Sequence, residues 1–165
     1  MSKSQFQTLF AYHWHITRQL MECAARLSET EYMDNPGYGH GSIHGLLFHL
    51  LRSARNWRLA LESGQRPVPL VVEDFPTLES LQTGFASEQR AWEGYLEGLS
   101  EEDIDKAMEM TNRRGEILLT PRWRALEHVV LHGMQHHSEL AHMLTAKGRS
   151  PGNIDFIFMI RSQPN

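Results

Sequence analysis

One cysteine, Cys23, stands in a chain of 165 residues. That scarcity rules out an intramolecular disulfide and every zinc site built from several thiolates, and it fits a reducing compartment, so a cytoplasmic location is expected. Long apolar runs are also missing: no stretch approaches the roughly 20 residues that cross a bilayer, and the N-terminal MSKSQFQTLFAYHWHITRQL has no extended uncharged core, so no membrane partner is expected. Positive charge is in the minority, with 16 Lys and Arg against 20 Asp and Glu, and its scatter leaves no electrostatic footprint for nucleic acid. Internal repeats, low-complexity segments and breaks in composition are absent. With 41% hydrophobic residues, the chain is expected to form one domain over residues 1–165 with a core of its own. The partners that remain are a small-molecule substrate or another protein chain. No H-E-x-x-H occurs, which excludes a zincin. A di-iron bundle needs two E-x-x-H motifs with further carboxylates, and only Glu139 to His142 supplies one.

What is present is helical periodicity. Phe6, Leu9, Phe10, Ile16, Leu20, Ala24 and Leu27 recur near helical spacing over residues 5–28, ahead of the breaker-rich DNPGYGHG. Ser42 suits the N-cap of a second helix that ends at Gly64, before QRPVPLVVEDFP. A third runs from about Thr77 to Leu99. SEED can open a short helical turn, and MEMTNRRGEILLT fits a small hairpin. The last helix begins near Pro121 and ends at Gly148. The expected fold is all-α: a four-helix bundle with a long connection before the last helix.

The last helix carries five histidines in HVVLHGMQHHSELAHML, residues 128–144. At about 100° per residue, Val129, Gly133, Leu140, Leu126, Leu144 and Met143 centre a buried arc near 20° from Val129. His136 falls at about −20° and His132 at about −60°, at or beside that arc, whereas His128, His137 and His142 fall toward the flanks or outside. Imidazoles at i and i+4 stand about 6 Å apart along the axis and can share one metal ion. His128 sits about 12 Å from His136 along the axis, so a third ligand must come from elsewhere. The second helix offers His49, at the margin of an arc formed by Ile43, Leu46, Leu50, Ala54, Trp57 and Leu61 and flanked by Ser42, Ser53 and Ala60. A lone inward histidine is usually a hydrogen-bonded core residue. A core-facing pair is a more specific signal, because buried imidazole loses hydration without compensation.

FHLLRSARNW in the second helix and LEHVVLHGMQHHSELAHMLTAKGRSPGNIDFIFMIR at the C-terminus resemble the DinB family, which is related to the YfiT-like metal-dependent enzymes. The resemblance spans nearly the whole chain. It implies an up-down-down-up helix order, a homodimer, and metal ligands at His49, His132 and His136. The chain departs from the family pattern at Leu131, where Asn is common, and at His137 and Ser138, where Arg-Gly is common.

Three neutral nitrogen ligands leave a divalent ion with open positions, as in catalytic sites, and imidazole accepts zinc, nickel, iron, manganese or cobalt. The ion can acidify water or bind a substrate thiol as thiolate. The resemblance implies relatives of both kinds: hydrolase-like proteins, and transferases or isomerases that use a low-molecular-weight thiol. A small electrophile treated with such a thiol is the leading reading. Hydrolysis and a noncatalytic, metal-stabilised binding or stress-response bundle are the alternatives.

The other polar residues have less specific expectations. His13 can line the pocket from the first helix, and Trp14 can face the site, while Trp57, Trp92 and Trp123 are expected to pack. His40 and His44 read as solvated or capping residues, and Cys23 as a buried apolar one. Arg55, Arg113, Arg114 and Arg161 can hold an anionic substrate, with surface solvation their default. Leu131 and Met134 point opposite the buried arc, at about −160° and 140°, toward a homodimer contact or another segment of the chain.

Overall fold

Apolar spacing near 3.6 residues becomes four long helices: α1 (Lys3–Ala24), α3 (Ile43–Ser63), α4 (Leu78–Gly98) and α6 (Arg122–Ala146). Shorter elements join them: α2 (Glu29–Met33), α5 (Glu101–Asp105), strands β1 (Ala107–Thr111) and β2 (Ile117–Pro121), and a C-terminal α7 (Phe156–Ser162). The computed structural model describes residues 1–37, 39–65, 67–112 and 114–162. Arg113, one of the arginines read as able to hold an anion, lies outside them.

Local chemistry sets the boundaries. Ser42 caps α3 by accepting from the Gly45 amide at 3.1 Å, and Gly64 ends it in the left-handed conformation at φ 70°. Thr77 caps α4 with a reciprocal box to Ser80, and Ser100 does the same for α5 with Asp103. Pro121 stands immediately before α6, where its missing N–H costs nothing. The expected hairpin forms, with Met108 opposite Thr120 and Met110 opposite Leu118.

Side-chain pairings fix the direction of each helix. Phe10 stacks on Trp92 and Lys3 reaches the Glu97 carbonyl, so α1 and α4 are antiparallel. Thr17 meets His137 and His13 meets Gly133, so α1 and α6 are parallel. His49 meets His132 and Trp57 meets His128, so α3 and α6 are antiparallel. The order is therefore up-down-down-up. Residues 64–77 return along the bundle so that α3 and α4 can run the same way, a second long connection besides the expected one before α6.

The core draws on all four helices, with Phe6, Leu20, Ile43, Leu81, Trp92, Leu126 and Leu144 essentially inaccessible. Cys23 is buried, as its apolar reading expects. Among the described residues no helix is long and apolar enough to cross a membrane.

One contact sets the spacing of α1 and α6. A Cβ at Gly133 would lie 2.3 Å from His13 Nδ1 and 2.5 Å from Cε1 of the same ring. Gly133 thus lets α1 approach the helix that carries His132 and His136. Gly133→Ala is expected to destabilise by about 1–2 kcal/mol in urea denaturation, because overpacking outweighs the gain of about 1 kcal/mol in helix propensity. His13→Ala in the same chain makes room for the methyl, so a double-mutant cycle is expected to show a coupling of about 1 kcal/mol or more.

Candidate metal centre

The helix wheel separates His132 and His136 from the other α6 histidines, and antiparallel packing brings His49 of α3 opposite them. His49 Nε2 lies 3.2 Å from His132 Nε2, and His136 Nε2 lies 3.1 Å from the same atom. The His132 and His136 rings cross at 78°, as do those of His49 and His136, so their edges meet instead of their faces. His136 is buried, while His49 and His132 are half-buried.

Hydrogen bonding alone does not satisfy this arrangement. His136 Nδ1 is 2.8 Å from the Glu139 carboxylate, an acceptor, so that nitrogen carries a proton, and in the neutral ring Nε2 presents a lone pair. Burial, reinforced by neighbouring imidazoles, pushes the pKa of His49 down to about 3 and that of His132 to about 4, so both rings are neutral at physiological pH. A single hydrogen on His132 Nε2 would then have to serve two lone pairs. A divalent ion would serve all three nitrogens. Nitrogens bound at roughly 2.0–2.1 Å in a tetrahedral shell stand about 3.3 Å apart, close to the two separations from His132. The donor set therefore fits such an ion, and the Glu139–His136 contact has the form of the carboxylate–histidine pair that orients a metal ligand.

Two residues at this centre carry no sequence expectation of a role here. Glu139, half of the single E-x-x-H, has an exposed side chain yet holds His136 from the position three residues on; that spacing on one helix face was the available signal. His40, read as solvated or capping, is exposed but stacks on His49 at 3.6 Å between ring centroids and 17° between planes. Ligand atoms of His40, His49 and His136 all lie within 4.8 Å of one another. The near-parallel stack sets the His40 and His49 rings face to face, so the loop brings a fourth imidazole to the centre, and His40, His49 and His136 could together hold an ion. A histidine between two loop glycines gave no periodic signal for this position.

Other expectations need correction. His137 is fully buried because α6 is enclosed by α1 as well as α3, which widens the buried arc beyond the one centred near Val129. Thr17 donates its only hydroxyl hydrogen to the His13 carbonyl and so accepts from His137 Nε2 at 2.9 Å. His13 is not among the residues lining the cavity at His49; it lies buried between Gly133 and His137, its ring 4.8 Å from that of His137. His44 is buried and donates to the Phe75 carbonyl at 2.7 Å. Trp14 is buried, its ring 4.6 Å from that of His13. Trp57 is half-buried and lines a cavity. Arg55 is held by the Val68 carbonyl at 2.9 Å. His142 is exposed, as expected.

That cavity, about 640 Å³, begins at His49 and runs between α3 and α6 past Asn56, Trp57 and His128. The hairpin residues Met110 and Leu118 and the loop residues Pro67 and Pro69 cover it.

A sequence profile described as the DinB family matches residues 1–165. Two solved structures share the fold. A DinB-like protein, YjoA from Bacillus subtilis, is 18% identical with a TM-score of 0.64, over 87% of this chain and 92% of that one. YfiT from Bacillus subtilis, described as a probable metal-dependent hydrolase with an unusual four-helix bundle topology, is 14% identical with a TM-score of 0.66, over 90% of each chain. No curated protein matches the chain.

The buried His13 makes stability depend on pH. Burial, with His132 adding to it, lowers its pKa from 6.5 to about 4, so the folded chain keeps it neutral where the unfolded chain protonates it. Its contribution is fully present above pH 6.5 and is lost as pH falls toward 4, a loss of about 3 kcal/mol for a shift of that size. In urea denaturation at pH 7 and pH 4, His13→Leu is expected to lose less stability than the parent by about that amount. Parallel pH curves for the two proteins would contradict the assignment.

Proposed function

The chain belongs to the DinB family, and from that membership we propose that it is a divalent-metal-dependent enzyme acting on a small electrophile, with His49, His132 and His136 as the metal ligands. The observation that carries the proposal is the convergence of three ring nitrogens, with those of His49 and His136 3.2 and 3.1 Å from that of His132, where His49 also lines a cavity of about 640 Å³. An ion held there supplies Lewis acidity and activates whichever nucleophile reaches it. Zinc, nickel, iron, manganese and cobalt all suit three imidazoles.

The remaining work falls to side chains around the centre. Glu139 holds the proton on His136 Nδ1 and thereby keeps Nε2 free to ligate. His40 shields His49 from the loop side. The walls of the cavity, with Trp57 on α3 and the hairpin above it, exclude water and orient the substrate. A low-molecular-weight thiol is the preferred nucleophile, since a cavity of this size has room for such a molecule beside a small electrophile. The description of YfiT favours water instead, and single-turnover assays with and without added thiol separate the two.

His49→Ala, His132→Ala and His136→Ala are each expected to remove most of the bound metal in elemental analysis. The exposed control His142→Ala is expected to retain it. Chelation is expected to leave the helical circular dichroism intact, because four amphipathic helices already bury a core; unfolding on chelation would mark a structural ion. Stoichiometric metal in a folded triple variant lacking all three histidines would refute the ligand set.

The proposal includes a homodimer in the cytoplasm, with α6 in the contact. Leu131 is 62% exposed, whereas Met134, expected beside it on the outer face, is half-buried against the core. Leu131→Glu is expected to halve the mass measured by light scattering while metal content stays constant. A monomeric mass for both proteins would exclude the dimer.

A further inference from the structure

The cavity below the three histidines has a charge pattern that the metal reading does not use. The chain carries a net charge of −4 and 20 acidic residues, yet among the described residues no carboxylate lines the cavity, while Arg52 and Arg124 both do. Neither guanidinium has an ion pair or hydrogen bond among the described residues; Arg52 rests over the Phe48 ring at 5.4 Å and Arg124 over the Trp123 ring at 5.3 Å. The other cavity-facing polar group of note is Asn56, whose side-chain oxygen is buried without a hydrogen-bond partner.

The placement of these groups follows from the two helices. Arg52 lies one turn beyond His49 on α3, beside the three-histidine centre. Arg124 lies eight residues before His132 on α6, about 12 Å along the axis. Trp57 and His128, with ring centroids 4.8 Å apart, stand between the two ends. The cavity is thus a slot with His49 of the imidazole cluster at its head, an aromatic and apolar middle, and at both ends cations without an ion pair among the described residues.

Arginine with no carboxylate partner, in a lining whose other described residues carry no Asp, Glu, Lys or Arg, recognises an anion, and its planar fork matches carboxylate or phosphate oxygens. From this we infer that the substrate is an organic anion: an apolar or aromatic body seated along Trp57, with a carboxylate or phosphate group held by Arg52 or Arg124. Asn56 accepts a hydrogen bond from an N–H or O–H of the same molecule. This inference rests on the metal-dependent reading, because it takes the three-histidine end of the slot as the reacting end.

Calorimetric titration of the purified protein, with its metal content measured on the same sample, tests it with three probes of similar size. These are 3-phenylpropionate, 2-phenylethyl phosphate and the neutral 3-phenylpropanamide. At least one anion is expected to bind tenfold or more tightly than the amide, and which of the two does so identifies the anionic group. Arg52→Gln with Arg124→Gln is expected to bring anion and amide within about threefold while metal content and circular dichroism remain unchanged. Equal binding of all three probes would overturn the inference, as would a tenfold anion preference surviving in the double variant. A preparation that binds no metal but keeps the anion preference would locate the failure in the metal reading. Stoichiometric metal without anion preference would locate it in this inference.

Discussion

Neutral imidazole nitrogens held 3.1–3.2 Å apart repel through their lone pairs unless something shares them, and the packing of α3 against α6 imposes that separation here. The rest of the structure can be understood around this constraint. Burial lowers the pKa of His49 and His132, so neither of these two rings relieves the repulsion by taking up a proton at neutral pH. Glu139 removes the remaining freedom by fixing the tautomer of His136. A cluster of this kind, incompletely satisfied by its own hydrogen bonds, is a poor core and a good ligand set.

The bundle supports the cluster from behind. α1 approaches α6 through Gly133, and the space a side chain would occupy there is filled by the ring of His13. His13 and His137 form a buried layer beside the three-histidine centre, with Thr17 satisfying one nitrogen of His137. Three ring nitrogens in that layer, both of His13 and Nδ1 of His137, are left without partners. Unsatisfied buried polar atoms cost stability, so this layer stores a penalty that the surrounding apolar core must offset. The up-down-down-up order also has a consequence in front of the cluster. Because α3 and α4 run parallel, residues 64–77 must return along the bundle, and Pro67 and Pro69 of that return become a wall of the cavity. The hairpin before α6 supplies its cover. Both irregular connections therefore serve the slot between α3 and α6.

The histidines that the wheel placed inward, His132 and His136, meet His49, and the capping residues Ser42, Gly64 and Thr77 stand at helix ends where local chemistry expects them. These features depend on periodicity and backbone conformation within one segment, so a single segment is enough to reveal them. His137, placed on a flank by the wheel, and His44, read as solvated or capping from its place beside a loop, are both buried because burial is decided by every element that packs on a residue, not by its own segment. α1 covers His137, and the Phe75 carbonyl in the loop before α4 captures His44.

Arg52 and Arg124 show the same limit. In the sequence they are two arginines among others, and Arg55 had as strong a claim to an anion. Only the tertiary arrangement turns Arg55 to the Val68 carbonyl and leaves Arg52 and Arg124 lining a cavity that has no carboxylate among the described residues. The sequence by itself determined the four amphipathic helices, their caps and the inward pair of imidazoles, because each follows from spacing along one helix. The tertiary structure alone decided which loop histidine joins the centre, which arginines line the cavity and which histidines vanish into the core. Those outcomes depend on side chains from separate elements meeting in space, and spacing along a single element does not contain that information.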